Sequence, residues 1–582
     1  MKKMIKCMAL ALVGITVAAN VAACGGGGGN PFIDTGSIVE KDETKAQLYV
    51  GCYEGGVGRA WLDSAIKRFE AQYADEEFDP GKKGVQVYVD YSKSYASTSL
   101  MANMVSAPQS VIFTEQMYFN DYVTQGRFLD ISDIVTGSLS SVTGGKESAS
   151  IESKLTETQQ AAYTAQDGNY YCLPHYEVFG GLSYDADLFE EYNLYVADTE
   201  IADVNSDNYG CVADKYTNRS KGPDGKTGVI NGVDYSVDDG LPATYEEFFK
   251  VCDKMVSNGI QPFLWTGGFP EYINLLAIAL YANEEGAENY SATLTFDSNG
   301  KEIPVYNDNM VIENKVITNE NAYLLRRQPG KYNSIQFMGK MLDNPNYISS
   351  YCTSSAVKHL DAQAFFIGEE KGRFGFLVEG NYWYNEAEPR FKELVAEKGE
   401  GQGWSSDERN FKWMPLPRAT KVAADDYKMT TVDRNYTCAF VNSNIANNAN
   451  KVRLAKMFLQ FCYTKESLIE FTEETGTTKG VMYNLTAEEE NTMLSKLNTF
   501  KKSVWDFRKK ADIVYPVSDS EILINNQQAF SIIESDWSVS YGGTEYQNAL
   551  AAFKNNVTAE QYFKAGWMNE SVWLDQYSVY FK

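Results

Sequence analysis

From Ala46 onward the chain alternates short apolar runs with segments of helical period, and this alternation restricts the fold more than any other feature. Leu48-Tyr49-Val50 leads into Tyr53-Glu54-Gly55-Gly56-Val57-Gly58, after which Trp61, Leu62, Ala65, Ile66, Phe69 and Tyr73 recur at helical spacing. Val85-Gln86-Val87-Tyr88-Val89 reads as a second strand; Leu100, Met101 and Met104 mark a helix, and Val111-Ile112-Phe113 reads as a third strand. Strand–helix–strand–helix–strand predicts a largely parallel α/β sheet, because parallel neighbours need a crossover that a helix supplies. A second α/β region is expected from near Gly180. There Thr244-Tyr245-Glu246-Glu247 forms a capping box, Gln261-Pro262-Phe263-Leu264-Trp265 reads as a strand, and Leu275, Leu276, Ile278 and Leu280 mark a helix. Polar insertions interrupt this region at about 196–241 and 284–330. The second holds Asp297-Ser298-Asn299-Gly300, which reads as a hairpin turn between extended runs.

The Gly55-Gly56-Val57-Gly58 turn is not a nucleotide fingerprint: it lacks the full GxGxxG spacing and no Gly-Lys-Ser/Thr follows. It reads instead as a loop that admits a ligand close to a helix start. Charge points the same way. The 52 basic and 78 acidic side chains leave a net −26, which argues against nucleic acid or anionic lipid heads as partners. With 39 tyrosines, 30 phenylalanines and 9 tryptophans there is ample material for large cores, so global disorder is excluded. Two histidines, His175 and His359, exclude a His-rich zinc centre and leave few options for a histidine triad.

Residues 1–23 have a basic start, an apolar run from Cys7 to Ala19 and small residues before Cys24, the layout of a secretory signal peptide. Val21-Ala22-Ala23-Cys24 resembles the bacterial lipobox, which implies lipidation of Cys24 and anchoring at the outer face of the cytoplasmic membrane. Cleavage would remove Lys2, Lys3 and Lys6 and take the charge to −29. Residues 24–43, opening with Gly25 to Gly29, read as a flexible tether with a reach of about 25 Å. The other cysteines, Cys52, Cys172, Cys211, Cys252, Cys352, Cys438 and Cys462, are odd in number and mostly in apolar runs. Buried thiols are expected rather than a disulfide framework.

Five phrases, in order, resemble the extracellular sugar-binding lipoproteins of ABC importers, the family of maltose/maltodextrin-binding proteins. They are Val111-Ile112-Phe113 with Tyr122 to Ile131, Asp167 to Tyr176 running into Gly181 to Phe189, and Leu241 to Phe249 with Gly259 to Gly267. Phe376 to Asn385 and Ala455 to Phe461 complete the set. The resemblance implies an α/β fold of two lobes, periplasmic-binding-protein-like, with a hinge and an interlobe ligand cleft. It places residues 44–180 and 437–490 in the first lobe and 181–436 and 491–582 in the second. Crossings are expected at Gly180 to Asp185 and at Tyr436 to Phe440. The function implied is capture of a carbohydrate, a di- or oligosaccharide, for delivery to importer permease subunits, by a monomer without enzymatic activity or cofactor.

A sugar cleft needs rings to stack on C–H faces and carboxylates or amides to pair with hydroxyls. The family pattern points to Tyr53, Glu54, Glu115 and Gln116 in the first lobe and to Trp265, Tyr272, Tyr382 and Trp383 in the second. Tyr176 is expected near the hinge, and Trp537 follows Ile524 to Gln528, which resembles a last cleft-lining segment. Glu379 reads as a structural residue at a strand end. Where the family has Gly-Ser-Trp this chain has Gly380-Asn381-Tyr382, so either Tyr382 or Trp383 would face the cleft. In the first insertion Asp203, Asn205, Asp207 and Asp214 partly resemble an EF-hand loop for a structural Ca²⁺, without its glycine and with Asp at the last position; a solvated acidic loop is the other reading. A surface glycoside hydrolase or a glycan-binding adhesin without transport role are the alternatives of other classes, but none of the five phrases is a hydrolase motif.

Overall fold

The computed structural model describes residues 40–96, 100–115, 119–197, 219–433, 437–515 and 537–581. The expected lipidation site Cys24, the leader, most of the tether, Gln116, the four calcium candidates Asp203, Asn205, Asp207 and Asp214, the crossing residue Tyr436 and the Ile524 to Gln528 phrase all lie outside the described residues.

The first lobe is built on β1 (Ala46–Tyr53), α1 (Ala60–Gln72), β2 (Val85–Ser92), β3 (Val111–Thr114) and β4 (Cys172–Pro174). β1 pairs parallel with β2 and β3, with Val50 opposite both Val89 and Val111. The α1 face that carries Trp61, Leu62, Ala65, Ile66 and Phe69 is buried, as its spacing requires.

The second lobe begins with β5 (Gly180–Asp185), α2 (Tyr245–Ser257), β6 (Gln261–Leu264) and α3 (Ile273–Thr295). Thr244 caps α2 through a full capping box with Glu247, as the sequence signals. Gly286, at φ 77°, breaks α3 into two segments, a conformation open to glycine without cost. Then follow β7 (Glu302–Tyr306), β8 (Ile312–Val316), α4 (Pro329–Lys340), α5 (His359–Gly368), β9 (Phe374–Gly380), β10 (Phe411–Trp413) and β11 (Thr430–Val432). The main sheet has the order β6-β9-β5-β10, with β6 and β9 parallel and β5 antiparallel to both its neighbours. Asp297 to Gly300 is not the turn of a hairpin. α3 continues to Thr295, so these residues join a helix to β7, and the hairpin itself is β7–β8, closed over Asn307 to Val311.

The chain then returns to the first lobe as β12 (Cys438–Val441), α6 (Ala449–Phe461) and α7 (Lys465–Thr475). β12 inserts antiparallel between β3 and β4, which gives the order β2-β1-β3-β12-β4. The sheet is therefore parallel only over its first three strands. Finally α8 (Thr499–Lys510) packs on β10, and β13 (Asp512–Val514) pairs with β11.

Three passages thus join the lobes: residues 174–180, 432–438 and 475–499. Glu177, fully buried in the first, ties it to the third and to α8. Its carboxylate accepts from Arg508 Nε at 2.6 Å and Nη2 at 3.1 Å, from the Tyr515 hydroxyl at 2.6 Å, and from the Thr478 hydroxyl. Asn381 stitches the same region: its side chain accepts from Phe179 N–H at 3.0 Å and donates to the Thr477 hydroxyl at 3.2 Å. The asparagine that departs from the family phrase is a bridge between strand end and hinge. The six described cysteines are buried, and none is in a disulfide. No helix among the described residues is long and apolar enough to cross a membrane.

Candidate functional site

At the ends of β1 and β3 the first lobe presents Tyr53, Glu54 and Glu115, and at the end of β9 the second lobe presents Tyr382, Asn385 and Glu386. They meet across the Gly55-Gly56 turn. A Cβ on Gly56 would collide with the Tyr382 ring, and one on Gly55 would meet the Tyr53 ring and, at 3.0 Å, Glu115 Oε1. The glycines let a tyrosine from the opposite lobe lie on the backbone, where the sequence led one to expect a ligand. Asn385 Nδ2 donates to the Gly56 carbonyl at 3.0 Å, a direct bond between lobes.

Glu115 is 8% exposed and is held by the Tyr53 hydroxyl. Burial, then the charge of Glu386, push its carboxyl up to about 8. Across the gap Glu379 is buried at the end of β9, also pushed up to about 8 by burial and then by Glu386. Gln363 Nε2, from α5, donates to Glu379 at 3.3 Å and to Glu386 at 2.8 Å, and His359 Nε2 lies 3.7 Å from Glu386. Tyr272 is partly buried on a single 3₁₀ turn, its hydroxyl joined to that of Tyr382, its ring stacked near Phe269 at 5.9 Å. The cleft therefore combines three tyrosines with four carboxylates, the two kinds of group a polyhydroxylated ligand requires.

Of the residues named from sequence, Tyr53, Glu54, Glu115, Tyr272 and Tyr382 belong to this cluster. Trp383 does not. It is fully buried among Phe366, Tyr384, Phe411 and Phe500, with its indole N–H donating to the Ser183 hydroxyl at 2.8 Å. The Tyr382/Trp383 alternative thus resolves by geometry, the tryptophan being the core residue of the pair. Trp265 follows β6 at the cleft end but is buried in the second-lobe core. Tyr176 is buried edge-on against His175, its backbone N–H held by Thr437. Trp537 lies in the helical layer, beneath Lys331 and near Tyr281, remote from the strand ends. Large rings were the best sugar platforms on chemical grounds, and for the same reason they were the best core material; burial took all four.

Glu386, Asn385, Gln363 and His359 were missed. Asn385 ends a recognised phrase and Glu386 follows it, so both were within reach of a reading that continued the turn past Trp383. Gln363 and His359 come from a helix that precedes the strand, and nothing local marks them. Two open cavities lie elsewhere, of about 650 Å³ beside α6 and α7 and about 510 Å³ beside β10. The first is walled by charges already paired with each other, such as Arg68–Glu470, Lys154–Glu147 and Lys465–Glu489. The second flanks the edge strand of one lobe; neither joins the two lobes. No acidic, His or Cys group suited to a metal ion occurs among the described residues.

No protein-family model and no curated protein sequence matches the chain. Solved structures do. A chitin oligosaccharide binding protein superposes with a TM-score of 0.52 at 15% identity, over 92% of this chain and 99% of its own. The maltose-bound MalE3 of T. maritima does so at 0.50 and 13%, over 91% and 100%. The GacH receptor of Streptomyces glaucescens, solved unliganded and with acarbose and an acarbose homolog, gives 0.51 and 11%, over 92% and 99%. At such identities the likeness is one of fold, and it covers both lobes: the chain has the two-lobe α/β fold of these sugar-binding proteins.

Proposed function

We propose that this chain is an extracellular substrate-binding protein, anchored through lipidated Cys24, that captures a di- or oligosaccharide between its lobes and delivers it to an ABC importer. The observation that carries the reading is the meeting of Tyr53 and Glu115 from one lobe with Tyr382 and Glu386 from the other, across a glycine turn and beside three chain crossings. Rings and acceptors contributed by both lobes make ligand affinity depend on closure, which is how a hinge converts binding into a signal a permease can read. The fold shared with sugar-binding proteins supports the ligand class. The lobe limits named from sequence, the monomeric state, the permease partner and the outer-face location belong to the same proposal, as does a structural Ca²⁺ in the first insertion. Binding and release are the whole task, with no bond made or broken.

A glycan array followed by titration calorimetry on the purified chain tests it. Saturable binding of at least one oligosaccharide without release of reducing ends is the expected result. Hydrolysis would establish the glycosidase reading, and no binding to any soluble glycan would remove the transport reading. Cys24→Ser should abolish incorporation of a labelled fatty acid in bacteria and free the protein from the membrane fraction. A melt that EDTA leaves unmoved would exclude the calcium ion.

A further inference from the structure

Among the described residues the carboxylates of the cleft have no Lys or Arg partner. Among the described residues neither Glu115 nor Glu379 forms an ion pair with Lys or Arg, and the side chain paired with Glu386 is the His359 imidazole, its Nε2 3.7 Å away. Lys93, exposed, acts on Glu115 only at a distance; Lys358 lies over the Phe269 ring. Three of the donors beside them are already engaged. The Tyr53 hydroxyl serves Glu115, the Gly380 N–H serves Glu379, and Gln363 Nε2 is shared by Glu379 and Glu386. A separate observation makes the imbalance plain. Gln363 is 1% exposed, its amide is wedged between those two carboxylates, and its Oε1 has no hydrogen-bond donor. His359 Nδ1, on the far side of Glu386, is also without a partner. A buried acceptor without a donor is costly, so among the described residues acceptors outnumber the donors and positive charges that meet them.

We infer that the sugar this cleft is built for carries a cationic amine, an amino sugar with free ammonium groups, which seats between Glu115 of the first lobe and Glu386 of the second. This rests on the carbohydrate reading above and narrows it. An ammonium offers three donors and one charge to the acceptors left over. It also gives closure an electrostatic cause. Glu115 and Glu386 belong to opposite lobes, and the charge of Glu386 disfavours ionisation of Glu115, so bringing the lobes together concentrates like charge until a proton or a cation lies between them. A neutral sugar leaves the proton in that place. Ionisable groups of both lobes face the spot: Tyr53, Glu54 and Lys93 from the first, and Tyr272, Glu379, Tyr382, Glu386 and His359 from the second. A cation arriving there favours the ionised carboxylates and displaces protons that burial holds on Glu115 and Glu379.

The test compares matched disaccharides, α-1,4 and β-1,4 linked, bearing free amines, acetylated amines or hydroxyls at the same positions. Calorimetry is run on the whole chain near neutral pH in two buffers of different ionisation heat. The free amine should bind about tenfold more tightly than its hydroxyl counterpart, with proton release that the neutral sugar does not produce. Glu386→Gln and Glu115→Gln, near-isosteric changes checked by thermal melting, should bring that preference to within about twofold. If the neutral sugar binds as tightly as the amine, or the preference survives both variants, the cation inference falls while the carbohydrate reading stands. If none of the sugars binds, both fall.

Discussion

Trp383 packs among Phe366, Phe411 and Phe500 and gives its indole proton to Ser183, whereas Tyr382, one position earlier, lies against the Gly56 backbone of the other lobe. Their substitutions should therefore separate. Trp383→Ala empties a large core site and should cost about 3–5 kcal/mol in a denaturant titration. Tyr382→Ala should change stability by less than half of that while weakening sugar binding about tenfold or more by calorimetry. Equal loss of binding without destabilisation in the tryptophan variant would return it to the cleft. Lys479 supplies a second prediction at this scale. Its ammonium is buried within 4.0 Å of the Trp61 ring centroid and 4.3 Å of that of Phe471, 3.3 Å from His175 Nδ1. Burial pushes it down to about 7 from an ordinary 10.5. Between those values the unfolded chain holds the proton and the folded chain does not, so stability should rise as pH climbs from about 7 towards 10.5, and the full penalty applies below 7. Lys479→Met should accordingly raise the melting temperature most at pH 6 and least near pH 10.

Among the elements, α8 matters beyond its length. It packs on the edge strand β10 of the second lobe, yet its Arg508 reaches Glu177 in the crossing and the Val481 carbonyl on the return from the first lobe. Arg508→Ala would leave Glu177 buried and charged without its partner, at a cost of about 3–5 kcal/mol. Adding Glu177→Gln should recover part of that loss, and urea titrations of the single and double variants measure it. The α1 apolar stripe and the Thr244 capping box were legible in sequence, because period and cap are local properties. The Asp297 to Gly300 turn was misassigned between two strands. Its residue types fix a turn but not what flanks it, and α3 runs on to Thr295 through core contacts of Tyr290, Ala292 and Leu294.

At the scale of the molecule, Asn385 and Tyr382 hold the lobes against the Gly55-Gly56 turn, and three crossings join them. Small-angle scattering should show the radius of gyration fall when a saturating sugar is added to a population that includes open molecules, and an unchanged value would argue against closure. Gly56→Val should block the approach of Tyr382 and hold the lobes apart, with weakened sugar binding as its second readout. The alternation of strands and helices determined by itself that the chain holds two α/β regions, because hydrophobic period is written locally, while two lobes around a cleft were what the resemblance carried by the ordered phrases implied. The insertion of β12 antiparallel into the first sheet and the facing of Glu115 by Glu386 were decided only in the tertiary structure. So was the choice of tyrosines over tryptophans for the cleft. Composition shows how many rings there are, but their exposure depends on which neighbours, hundreds of residues away, pack over them.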